Sequence, residues 1–118
     1  MTGVIYDRVA LIGLGLIASS MFWAIKRANL AGEVTGYARS QETRDTARRI
    51  GLCDSVCDSI TDAVKDADLI VLCVPVGAME QVTRDIAPAL KPGATVSDVG
   101  SVKRAVIDAV SPHLPKNV

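Results

Sequence analysis

The run Gly13-Leu14-Gly15-Leu16-Ile17-Ala18 restricts the possible folds of this chain more than any other segment. It follows a short apolar run, Val9–Ile12, that reads as a buried strand, and it opens a stretch, Leu16–Ala28, that reads as a helix. In a G-x-G-x-x-A turn the first glycine permits the tight strand-to-helix reversal. The second lets backbone amides approach a pyrophosphate, and the small third position, Ala18, lets helix and strand pack closely. Phosphates held there meet the unpaired N–H groups around Leu16 and Ile17 and the positive end of the helix dipole. By itself the pattern also describes a tight turn with no ligand. Its setting decides for a dinucleotide, because a second strand, Val34–Tyr37, follows at the proper distance.

Apolar runs and amphipathic stretches alternate along the rest of the chain. Asn29–Gly32 reads as the exit from the first helix. Ser40 can cap a polar helix to Ile50, with Gly51 at its end, and a weak third strand lies around Val56. Ser59 can cap a short helix, Ile60–Ala67. Leu69–Val74 is the strongest strand and Pro75 stops it; a helix from about Ala78 to Leu90 and the turn Lys91–Gly93 come next. Thr95–Asp98 is a fifth strand, and Ser101 can cap a last helix reaching about Val110, before Pro112 and Pro115. Five βα units with continuous apolar strands predict a parallel sheet covered on both faces. The expected fold is α/β, a Rossmann-type doubly wound sheet in three layers, with a ligand crevice at the carboxyl ends of the strands. At 118 residues the chain is read as one domain, residues 1–118.

Composition removes several function classes. Apolar residues are 49% and charged residues 22%, enough for a core and against disorder. Thirteen basic and thirteen acidic side chains cancel, and no basic segment is interleaved with aromatics, so nucleic acid is not an expected partner. Cys53, Cys57 and Cys73 form no CxxC pair and the one histidine, His113, is remote, so no metal site is expected and the thiols suit a reducing cytosol. Val9–Ile25 is uncharged but is interrupted by Gly13 and Gly15 and falls short of the roughly 20 residues of a spanning helix. No membrane association is expected, and the localisation read from these features is cytoplasmic.

The end of the second strand distinguishes the cofactors. An NAD site usually places Asp or Glu there, about 20 residues beyond the glycine turn, on the ribose hydroxyl. Here the strand runs into Ala38-Arg39-Ser40. Ala38 stands where the acid would, removing its repulsion of a phosphate. Arg39 can pair with that phosphate through two N–H groups, Ser40 can add a hydroxyl and a helix-start amide, and Arg44, one turn on, can assist. A solvated basic helix explains Arg48 and Arg49, since Asp45 and Arg49 stand four apart, but does not explain the missing acid. NADP is therefore expected in preference to NAD.

Three segments, Gly13–Ser20, Leu72–Val76 and especially Asp98–Lys103, resemble the prephenate/arogenate (cyclohexadienyl) dehydrogenases of tyrosine biosynthesis, in order and along essentially the whole chain. The resemblance implies an NADP-dependent oxidoreductase that decarboxylates prephenate or arogenate as the ring aromatises. It also implies that Ser101 lies near the nicotinamide and the substrate hydroxyl, and that Val74 and Pro75 border the cofactor's ribose and phosphates. Ser101 is equally a helix N-cap, and the two roles are compatible; Lys103 reads equally as an exposed helical lysine.

Such enzymes carry a catalytic histidine in a Gly-His-Pro segment after a sixth strand, then a helical domain that completes the substrate pocket and the dimer. The sequence stops at Val118 and His113 lies in Ser111-Pro112-His113-Leu114-Pro115, which does not match. The expectation is thus a fragment without activity, truncated before the sixth strand, from a homodimeric parent. Loss of a positioned base alone removes about 10²–10⁴-fold in rate. An apolar surface left at the carboxyl edge or on the last helix would drive self-association. Two other readings remain open: a non-catalytic NAD(P)-sensing module, and the cofactor domain of another reductase of the 6-phosphogluconate or pyrroline-carboxylate type, which Asp98–Lys103 disfavours.

Overall fold

A computed structural model describes residues 6–98. Its elements, in chain order, are β1 (Tyr6–Ile12), α1 (Leu16–Ala28), β2 (Ala31–Tyr37), α2 (Gln41–Ile50), β3 (Ser55–Val56), α3 (Ile60–Val64), β4 (Leu69–Leu72), α4 (Val76–Ile86), a 3₁₀ turn over Ala87–Ala89, and β5 (Thr95–Asp98). Every strand pair is parallel and the order is β3-β2-β1-β4-β5. The chain moves outward from β1 to β3, then crosses back to lay β4 against the other side of β1. That reversal opens a crevice above the carboxyl ends of β1 and β4, where an open parallel sheet receives its ligands.

Side-chain alternation along the strands builds two cores. Ala10 and Ile12 of β1 and Ile70 and Leu72 of β4 face one side, packed with Ala63 and Val64 of α3 and Met79 and Ile86 of α4. Val9, Leu11, Val34 and Val71 face the other, against Ala18, Phe22 and Ile25 of α1 and Ala47 of α2. Because both faces are covered, β1 and β4 read as unbroken apolar runs, and each large side chain so buried contributes about 1.5–3 kcal/mol. Thr35 and Thr83 are fully buried polar exceptions; their hydroxyls donate to the Ala63 carbonyl at 2.8 Å and the Met79 carbonyl at 2.7 Å.

Two aspartates clamp the amino edge of the sheet. Asp68 accepts from the amides of Asp7 and Arg8 at 2.9 and 3.0 Å and from Lys91 Nζ. Asp54 accepts from the Val34 amide at 2.7 Å and from Lys26 Nζ. The first clamp extends β1 back to Tyr6, three residues before the apolar run, and pairing of Tyr6 with Ala31 starts β2 earlier than Val34.

Other boundaries shift for local reasons. α1 ends on Asn29 (φ 54°) and α2 on Gly51 (φ 75°), both left-handed. Ser40 caps α2 as expected, accepting from the Thr43 amide at 3.4 Å. Ser59 does not cap α3 with its side chain, because its hydroxyl pairs with that of Thr61 at 2.8 Å. α3 stops at Val64 rather than Ala67, and β4 at Leu72 rather than Val74. α4 begins directly after Pro75, and Pro88, which lacks an N–H, falls in the tighter turn that replaces its expected last residues. The helix expected after Ser101 lies outside the described residues.

Candidate functional site

The crevice is a cleft of about 940 Å³, within the range of small-molecule sites. Its floor is Ile12, Gly13, Leu14 and Gly15; one wall is Tyr37 through Ser40, and the other is Cys73, Val74 and Pro75 with the start of α4.

The two glycines of the turn do different things. Gly13 sits at φ +96°, and a Cβ there would stand 2.8 Å from both the Cys73 carbonyl oxygen and Val74 Cγ1. Its amide donates to the Tyr37 carbonyl at 2.8 Å, while the Cys73 amide donates to the Ile12 carbonyl at 2.8 Å, so the turn is stitched to both neighbouring strands. Gly13 is required by the fold. Gly15 has φ −108° and ψ −160°, extended backbone open to any residue, and a Cβ there would meet nothing within 4 Å. Nothing among the described residues demands glycine at 15, so its value is the space it leaves in front of α1.

That helix start is prepared for an anion. Gly15 gives α1 no side-chain cap and the first turn carries no acid. The first intrahelical bond is Ser19 N–H to Gly15 O at 3.0 Å. The amides of Leu16, Ile17 and Ala18 come before it and so have no partner within the helix. Leu16 and Ile17 are exposed at the carboxyl edge, and Ala18 is fully buried. An open helix start behind a cradle that a Cβ would fill fits a diphosphate.

At the end of β2, Ala38 is buried while Arg39 and Ser40 are exposed on the cleft wall. Among the described residues Arg39 forms no ion pair or side-chain hydrogen bond. Arg44 is placed differently from the sequence expectation. Its guanidinium is buried behind the loop, donating to the carbonyls of Ala38 (2.6 Å) and Arg39 (3.1 Å), to Gln41 Oε1 (2.7 Å) and to Asp58 Oδ1 (3.2 Å), and it lies 5.5 Å from the centroid of the Tyr37 ring. Its donors are engaged there, and it is not among the residues that line the cleft. Asp58 also accepts from Arg48 at 2.8 Å, and that hydrogen bond above all holds its carboxyl below the usual aspartate range.

Val74 and Pro75 line the cleft, as does Cys73, whose thiol burial pushes up to about 11; Cys53, beneath the β2 end, is pushed up to about 12, mainly by burial. Both are neutral thiols at pH 7 and poor nucleophiles. The α4 wall, Gly77, Ala78, Gln81, Val82 and Asp85, escaped sequence reading, although 78, 81, 82 and 85 share one helical face. Ser101, Lys103 and His113 lie outside the described residues. A smaller groove of about 210 Å³ between α1 and α2 is lined by Leu14, Ser19, Glu42, Ile50 and neighbours, and includes neither glycine of the turn. Among the described residues no three His, Cys, Asp or Glu side chains converge, and no helix is long and apolar enough to cross a membrane.

Known proteins match this geometry. The family described as "Prephenate dehydrogenase, nucleotide-binding domain" matches residues 23–118. A cyclohexadienyl dehydrogenase of Zymomonas mobilis is 45% identical over 114 residues, covering 97% of this chain and 39% of the relative. The crystal structure of prephenate dehydrogenase from A. aeolicus in complex with hydroxyphenyl propionate and NAD+ superposes with a TM-score of 0.83 at 26% identity, over 94% of this chain and 39% of that one. Synechocystis arogenate dehydrogenase superposes at 0.77 with 30% identity, over 90% of this chain and 37% of that one. The chain therefore spans about two-fifths of these proteins' length. With its parallel sheet, its glycine turn and the open helix start behind it, this chain belongs to the prephenate dehydrogenase family, as its nucleotide-binding domain.

Proposed function

We propose that this domain binds NADP in preference to NAD and serves an oxidoreductase that oxidatively decarboxylates prephenate or arogenate. The observation that carries the cofactor choice is the pairing of a buried, neutral Ala38 with an exposed Arg39 free of ion pairs among the described residues. A carboxylate at 38 would bond a ribose hydroxyl and repel a phosphate, whereas a free guanidinium beside it favours the phosphate. When bound, the nicotinamide supplies the hydride acceptor. The residues of this chain bind and orient: the amides of Leu16, Ile17 and Ala18 face the diphosphate, Ser40 adds its hydroxyl on the adenosine side, and Val74 and Pro75 shield the ribose on the β4 side.

Ser101 completes the nicotinamide end in this reading. Substrate closure and the acid–base group belong to the remainder of a cytoplasmic, homodimeric parent, so residues 1–118 alone bind cofactor without turning over substrate. Titration of NADP and NAD, repeated with Arg39→Ala, tests the choice. Loss of a charge-assisted contact of about 1.5–3 kcal/mol lowers NADP affinity by about 10–150-fold and leaves NAD unchanged. Equal affinities before and after the substitution would remove the phosphate site.

A further inference from the structure

Arg44 does not line the cleft, yet it grips the loop that frames it. One nitrogen of its buried guanidinium, Nη1, donates to the two successive carbonyls of Ala38 and Arg39, and the other two nitrogens donate to Gln41 Oε1 and Asp58 Oδ1. In a trans peptide the C=O and the following N–H point in opposite directions. Turning the Ala38 and Arg39 carbonyls toward Arg44 thus turns the N–H groups of Arg39 and Ser40 away from it. Neither amide donates to a group among the described residues. Successive amides on one side of a turn, at the start of a ten-residue helix, form an anion-binding concavity.

We infer that Arg44 is a positioning residue for cofactor choice: by holding the Ala38 and Arg39 carbonyls it aims the Arg39 and Ser40 amides at the phosphoryl group on the adenosine ribose. The inference rests on the NADP reading above. Its action is geometric rather than coulombic, because Asp58 already faces its charge and Tyr37 covers it. A lysine supplies the same charge from a single nitrogen and cannot hold two carbonyls, an amide and a carboxylate in one plane.

The test is the ratio of NAD to NADP dissociation constants, measured by calorimetry on the wild-type protein and on Arg44→Lys and Gln41→Ala. Arg44→Lys is expected to cut that ratio by about tenfold or more with NAD affinity held within about threefold, and Gln41→Ala, which frees one guanidinium nitrogen, to cut it by about threefold. An unchanged ratio in Arg44→Lys, or parallel weakening of both cofactors, overturns the inference and leaves the NADP reading standing. A wild-type ratio near one that Arg39→Ala does not alter overturns the NADP reading first, and this inference with it. Should Arg44→Lys fail to fold, Gln41→Ala decides: its ratio falls or the inference fails.

Discussion

Gly36 of β2 lies against Leu14 of the glycine turn, so closely that a Cβ at 36 would stand 3.0 Å from Leu14 Cδ2 and 2.7 Å from Cys53 Sγ. The missing side chain is the seat on which the turn rests. Gly36→Ala is expected to cost about 1–3 kcal/mol through overpacking and to lift Leu14, weakening dinucleotide binding as well. Urea denaturation and cofactor titration measure the two effects. A variant as stable as the wild type would show that Leu14 has room to move.

Gly13→Ala and Gly15→Ala separate fold from function. Alanine at 13 meets both a left-handed backbone and the Cys73 carbonyl, and should destabilise by about 1–3 kcal/mol. Alanine at 15 should cost at most about 0.5–1 kcal/mol as a poorer N-cap, yet lower dinucleotide affinity by tenfold or more, since its methyl group enters the phosphate space. Comparable affinity in wild type and Gly15→Ala would remove the argument that this cradle is kept for a ligand.

Stability should fall at both ends of the pH scale. The bond from Lys91 and the amides of Arg8 and Asp7 hold the Asp68 carboxyl below its ordinary 3.8, and Arg48 does the same for Asp58. A depressed carboxylate stabilises the fold above its unfolded value, and that contribution disappears as pH falls through the folded one. Cys53, raised by burial from 9.0 to about 12, has the opposite sign: its contribution is complete below about 9 and is lost as pH rises toward 12. Urea midpoints against pH should decline below about 4 and above about 9, and Asp68→Asn should flatten the acid limb. An acid limb unaltered by that substitution would exclude Asp68 as its source.

The same burial makes Cys53 and Cys73 slow toward iodoacetamide. With Cys73 at about 11, its thiolate fraction at pH 7.5 is about a hundredfold below that of a free thiol, and alkylation should slow accordingly. Because Cys73 lines the cleft, bound cofactor should slow it further while leaving Cys57, outside the cleft, unaffected. Mass-spectrometric rates per peptide check this. Equal protection of Cys57 would point to general stiffening instead.

Local patterns were legible in the sequence. The glycine turn, the alternation of buried strands and helices, and the neutral Ala38 are each set by neighbours a few residues apart. Roles set by distant partners were not. Arg44 reads as a cation beside a phosphate site, and only the carbonyls of Ala38 and Arg39 with Asp58, fourteen residues on, show it to be a strut. Gly36 is only one residue of the expected second strand, and its part in seating the turn is hidden because what it accommodates, Leu14 and Cys53, comes from two other segments. The α4 wall was hidden because its cleft-facing positions are mixed in character, Ala78 and Val82 beside Gln81 and Asp85.

The aspartate clamps sit at the opposite end of the strands from the cleft. Asp54 and Asp68 secure the amino edge through backbone amides, whereas residues 38–40 hang from the other edge. Endurance and selectivity are thereby assigned to separate ends of one sheet. Exchanging the side chains of the outer loop to retune which nucleotide is taken leaves the fastenings untouched, so a lineage or an engineer can redraw the recognition surface without first reinforcing the scaffold.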